Sequence, residues 1–234
     1  MALFFTLGWF SGWDVAFDLV SLLVALLIAA YSWKMYRLSD ENRFGYFSFA
    51  FLLISFAFLM KVLLSGATYF TTVRSIADIV LRPAVGAQRQ YSFLFYRAGF
   101  FLQTAPMLAA WLLIFFVSQK KSGRLKKYYE ISQIALFVYL ILLISVVSNF
   151  EFTVFYLTSS VILGMTVLNY FKNYLNTNKN TNAFWVMIAF LVILFANFTF
   201  IFVFLQPALY ALGEALMLLG FLVLLYTYSQ ITRG

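Results

Sequence analysis

The sequence predicts an all-α fold: a polytopic membrane protein of seven transmembrane helices, with its N-terminus outside and its C-terminus in the cytoplasm. Three observations carry this. Of 234 residues, 64% are hydrophobic and only 10% are charged, with a mean hydropathy of +0.93. A soluble domain is about 45–50% apolar and about 25% charged. The apolar residues also fall in runs long enough to cross a bilayer, which takes about 20 residues each, so the chain holds roughly seven or eight crossings. Finally, Lys and Arg gather in alternate links between those runs, the pattern that sets membrane orientation.

The first run, 14–35, follows Trp9, Phe10 and Trp13, which suit an outer aromatic belt. No Lys or Arg precedes it, unlike the basic start of a cleaved signal peptide. Lys34, Arg37 and Arg43 then mark a cytoplasmic link before the second run, 44–65. The loop 66–90 is long enough for structure of its own. Arg74, Asp78 and Arg82 recur every four residues, opposite Val73, Ile76, Ile79 and Val80, and Pro83 follows. This predicts an amphipathic helix over 70–82 on the outer surface, either a cap over the bundle or a gate.

The third run, 91–117, contains Pro106, which is expected to kink it. The segment KKSGRLKK follows, with Lys120, Lys121, Arg124, Lys126 and Lys127. The fourth run is 129–147, and its stretch 137–147 is apolar on all sides, which excludes the alternation of a β-barrel strand. Runs five to seven span 152–171, 183–205 and 208–228. A polar NTNKNTN connector separates five from six, and only Pro207 and its neighbours separate six from seven. Gly213, Met217 and Gly220 share a face of the last run, where small residues permit close approach.

Eleven basic residues fall on the expected cytoplasmic side and three in the outer loop. The net charge of +8 is therefore a topology signal, and nucleic acid drops out as its explanation. The basic segment 120–127 is a topology determinant that also suits anionic lipid headgroups or an acidic protein surface. With no Cys and no His, the chain lacks thiolate nucleophiles, imidazole relays and the usual metal ligands, so no metal or cofactor is expected. The last run has no Lys for a retinal Schiff base, and no phosphate loop, GxSxG or TVGYG motif occurs. The expected protein is not an enzyme.

Ionisable groups within spans are costly and mark candidate sites. Here they are Asp18, Lys61, Arg97 and Glu214, with Glu151 at a span end. At 1.5 Å per residue all five fall in the outer third of the membrane, accompanied by Gln103 and Asn197. Two accounts compete: interhelical pairs that fix packing, or an outward vestibule for a small polar or charged ligand. Suitable pairs are Lys61 with Asp18 and Arg97 with Glu214.

Residues 36–59, YRLSDENRFGYFSFAFLLISFAFL, resemble the junction between the first two helices of prokaryotic seven-helix membrane sensor modules. In those modules the bundle detects a signal and an attached domain provides output. The resemblance implies a sensor-like bundle and carries over no ligand-binding residue. The sequence ends at Gly234 without an output domain, so signalling is expected to pass to a separate partner. The leading expectation is a multi-pass protein of the cytoplasmic membrane, a receptor-like or accessory subunit in contact with lipid and a protein partner. Two alternatives stand beside it: a small-solute or ion transporter built on the outer cluster, and a structural subunit of a larger complex.

Overall fold

The computed structural model describes residues 10, 12–69, 88–119, 152–177 and 180–233. They form six α-helices: α1 (Trp13–Ser39), α2 (Asn42–Tyr69), α3 (Gln88–Ser118), α4 (Phe152–Asn176), α5 (Thr181–Ile201) and α6 (Ala208–Arg233). Each contains a stretch long and apolar enough to cross a membrane. The chain is an all-α, multi-pass helical bundle, with six such helices among the described residues rather than the seven expected. The expected span 129–147, the amphipathic helix 70–82 and the basic segment 120–127 lie outside the described residues.

Helix ends follow local chemistry more than hydropathy. α1 continues past the apolar run to Ser39, and Asp40 closes it in the left-handed region (φ 54°), its N–H donating to the Tyr36 carbonyl at 2.9 Å. Asp is among the few side chains that tolerate this conformation. Only Asp40 and Glu41 then separate α1 from α2. α5 stops at Ile201, four residues short of the expected end. There, Phe202, Val203 and Leu205 turn through short-range bonds to Thr199, Phe200 and Phe202. Such three-residue bonds tighten the chain so that it reverses before Pro207. α3 runs unbroken through Pro106.

Each helix packs on its neighbour in sequence, and α6 returns to α1, closing a six-membered ring. Side-chain pairs give the directions. Ser48 Oγ donates to the Ala29 carbonyl at 2.8 Å, and Ser32 Oγ to the Phe44 carbonyl at 3.2 Å, so α1 and α2 are antiparallel. Tyr156 stacks on Phe200 and Tyr170 on Phe190, so α4 and α5 are antiparallel. α3 and α4 are parallel: Phe100 meets Phe152 at one end, and Asn169 Nδ2 donates to Ser118 Oγ at the other. α1 and α6 are parallel too, since Asp18 and Glu214, each early in its helix, reach the same side chain of α2.

The interior is aromatic. Phe221 of α6 is fully buried against Phe51 and Phe58 of α2 and Trp111 of α3. Small residues let α5 and α6 touch: a Cβ on Gly220 would stand 2.5 Å from Ile193 Cγ1 and 3.1 Å from the Ala189 carbonyl oxygen. The outward surface is apolar as well, with Leu19, Leu23 and Leu27 of α1 about half exposed, as befits a surface that meets lipid.

Candidate functional site

The buried stripe of α1 is mostly polar or small, with Asp14, Asp18, Ser21, Ala25, Ala29 and Ser32 beside Val24 and Ile28. These residues follow helical spacing, and the leucines occupy the outer side. The arrangement inverts that of a soluble helix, because lipid is as apolar as leucine and inward faces are selected for close approach and hydrogen bonding. On α2 the inward stripe runs Phe47, Phe51, Ile54, Phe58, Lys61 and Ser65. On α6 it runs Tyr210, Glu214, Met217, Phe221, Leu224 and Tyr228. Each stripe carries its ionisable residue at the same end of the bundle.

Those three residues meet. Lys61 Nζ donates to Asp18 Oδ1 at 2.7 Å and to Glu214 Oε1 at 2.5 Å, and all three side chains are buried. Asp18 lies five residues into α1 and Glu214 six into α6, so both carboxylates sit about 8–9 Å along their helices. The ammonium also stands 5.6 Å from the centre of the Tyr210 ring, within cation–π range.

An aromatic wall surrounds the triad. Tyr210 packs against Phe200, which stacks on Tyr156, and Phe10 covers this end by packing on Tyr210 and Phe17. Beside Lys61 and Glu214 lies a cavity of about 20 Å³ whose polar lining also includes Gln103 of α3. Its apolar lining includes Phe58 of α2, Phe155 of α4, Phe200 of α5 and Met217 of α6. A single water needs roughly 10–15 Å³, so the cavity has room for one. Asp18 Oδ2, Gln103 Oε1 and the Tyr210 hydroxyl, all buried here, have no hydrogen-bond partner among the described residues.

Of the residues expected to form the site, Asp18, Lys61, Glu214 and Gln103 come together. The expected Lys61–Asp18 pair is present, and Glu214 joins it by bonding to Lys61. Asn197 is buried on α5, its Nδ2 donating to the Ile193 carbonyl of its own helix at 3.0 Å. Arg97 is half-buried on α3, two residues before Gly99, which packs against Leu64 of α2. Glu151, Lys120, Lys121, Arg124, Lys126 and Lys127 lie outside the described residues. Sequence reasoning overlooked Asp14, which is fully buried one turn before Asp18 and accepts from the Gly12 N–H at 2.9 Å. Its i,i+4 spacing from Asp18 was the available signal. The aromatic wall was also overlooked. Among the described residues, no group of three acidic side chains is placed to hold a metal ion. No family model, curated protein or solved structure matches the chain.

Proposed function

We propose that the protein is a non-enzymatic, seven-crossing protein of the cytoplasmic membrane, acting as a receptor-like or accessory subunit. The observation that carries this reading is Lys61 held between Asp18 and Glu214. The ammonium occupies the position a mobile ion would take in a transport path. The adjoining space fits one water, whereas a solute path needs a lumen. The triad instead fastens α1, α2 and α6 together at the seam where the ring closes, which suits a bundle that holds or changes shape. The sensor-module resemblance of residues 36–59 points the same way, because it falls on the α1–α2 junction.

The chain path supports seven crossings. α3 and α4 run parallel, and Phe100 to Ser118 alone spans about 27 Å. α3 therefore ends and α4 begins at opposite ends of the bundle, and the sequence between them contains the apolar run 129–147. An odd number of crossings agrees with α1 and α6 being parallel. The basic links then face the cytoplasm, with the N-terminus and the triad toward the outside.

Mild detergent extraction followed by quantitative co-purification tests the role. The expected result is a stoichiometric protein partner that is lost when Lys120, Lys121, Arg124, Lys126 and Lys127 are changed to Gln. A second reading, small-solute or ion transport, draws on the unpartnered Gln103 Oε1 of a cavity-lining residue and the unpartnered Asp18 Oδ2 of the triad. Solute or ion flux into protein-containing liposomes, with no partner in the extract, would replace the first reading with the second.

A further inference from the structure

We propose that Asp18 and Glu214 together bind one proton, and that the cavity beside Glu214 holds the water that solvates it. The inference deepens the reading of the triad as a fastening and rests on the same geometry. Two carboxylates share one ammonium, so the buried triad is one negative charge in excess. Among the residues whose side chains the structure describes, Asp14 on α1 and Arg97 on α3 are the other charged groups toward this end. They are opposite in sign and leave that excess unchanged. The remaining titratable groups facing Lys61 are phenols, Tyr156 of α4 and Tyr210 of α6, and α5 presents Phe200. An uncompensated charge in a water-poor interior is strongly disfavoured, and a protein relieves it by taking up the missing counter-charge.

The site has atoms ready for that proton. Lys61 occupies one oxygen of Asp18 and one of Glu214. Asp18 Oδ2 is left buried without a partner, and Gln103, only 5% exposed, lines the cavity with Oε1 unpartnered. A water in that cavity donates to Gln103 Oε1 and to Glu214, the arrangement that buried waters adopt with two to four polar partners. The proton arrives from bulk water and returns there. No other bond forms or breaks. A metal cation is a poorer occupant, because the cationic Lys61 lines the same space.

Infrared difference spectroscopy of the protein in lipid nanodiscs, between neutral and alkaline buffer, tests this. The wild type is expected to show the carbonyl stretch of one protonated carboxylic acid, moved by exchange into D₂O and lost at alkaline pH. Asp18→Asn and Glu214→Gln each remove the excess charge, and each should abolish the band. Absence of the band in the wild type overturns the proposal. So does its survival at full intensity in both variants, which would assign it to another carboxyl such as Asp14. Loss of the band on raising sodium at fixed pH would also overturn it, in favour of a metal cation.

If the variants fail to fold, wild-type protein labelled with ¹³C at its eight carboxyl side chains keeps the question open to decision. One carboxyl close to a lysine Nζ must then change its chemical shift with pH, and a spectrum without such a change refutes the proposal. Failure in either experiment leaves the co-purification result untouched, so the two readings fall separately.

Discussion

Replacing Lys61 with Met keeps the length and most of the packing of the side chain while removing the ammonium from between Asp18 and Glu214. Before any proton is counted, the triad then carries two buried negative charges instead of one. Two responses are open to it. If the carboxylates stay ionised, the loss is that of one partner of a buried pair, about 3–5 kcal/mol. If the site takes up one further proton, the cost is set by the distance of the solution pH from an ordinary carboxyl value of about 4. At about 1.36 kcal/mol per pH unit, that gives about 4 kcal/mol at pH 7 and about 1.4 kcal/mol at pH 5.

The sign follows from linkage. On its carboxyl groups the native variant binds one proton more than the native wild type, while those groups bind the same number in the two unfolded chains; the Lys61 proton is present in both states of the wild type and cancels. Its deficit therefore grows as pH rises, by about 1.36 kcal/mol per unit. Reversible unfolding in mixed micelles from pH 5 to 8, with wild type and variant side by side, measures both magnitude and slope. A second variant carrying Lys61→Met, Asp18→Asn and Glu214→Gln holds no charge and should recover most of the loss, as buried ion sets replaced by neutral groups often do. A deficit below about 1 kcal/mol, the range of exposed pairs, would refute the reasoning. A deficit that does not change with pH would refute its proton part.

Four further outcomes follow from the packing and the chain path. Gly220→Val should destabilise the bundle by about 1–3 kcal/mol in the same unfolding assay, because the new side chain meets Ile193 and the Ala189 backbone. Gly164→Ala, with nothing within 4 Å of its Cβ position, should be neutral or gain up to about 1 kcal/mol. Ser48→Ala should cost about 0.5–1.5 kcal/mol through loss of its bond to Ala29, read as a lower unfolding midpoint. The chain has no Cys, so Thr72→Cys and Ser122→Cys report topology directly. An impermeant maleimide should label position 72 from outside the cell and position 122 only in inverted vesicles, and the reverse would overturn the orientation.

The six described crossings were legible because hydropathy and span length are one-dimensional properties. Their ends were less so: Asp40 and the turn after Ile201 are local hydrogen-bonding events that an apolar run does not record. The ring order is a property of side-chain fit. Nothing in hydropathy separates Phe221, fully buried at the centre of the bundle, from Phe204, which is 60% exposed. In water that contrast would leave a periodic signature, but beside lipid both faces are apolar. For the same reason the aromatic wall around Lys61 could not be told from lipid-facing phenylalanine. The charged residues were legible as a site because their burial is costly wherever it occurs. Their partners were only half legible, since Asp18 and Lys61 lie on adjacent helices whereas Glu214 reaches them only through ring closure.

That closure also bears on why the triad is there. Well-packed apolar side chains of similar volume would hold α1, α2 and α6 at least as firmly as a buried ion set. The opposite end of the α2–α6 contact is built in that way, with Phe47 stacked on Tyr228 at 5.0 Å. One end is therefore fastened by packing that responds little to conditions, and the other by three charges whose balance depends on a single proton. A seam made in this manner is firm at its Phe47–Tyr228 end and conditional at its Lys61 end. Two of its three parts, Asp18 and Glu214, also lie on the first and last helices of the ring, so a change in charge acts first on ring closure. Under the orientation proposed above, the conditional end lies toward the exterior and the Phe47–Tyr228 stack toward the basic face.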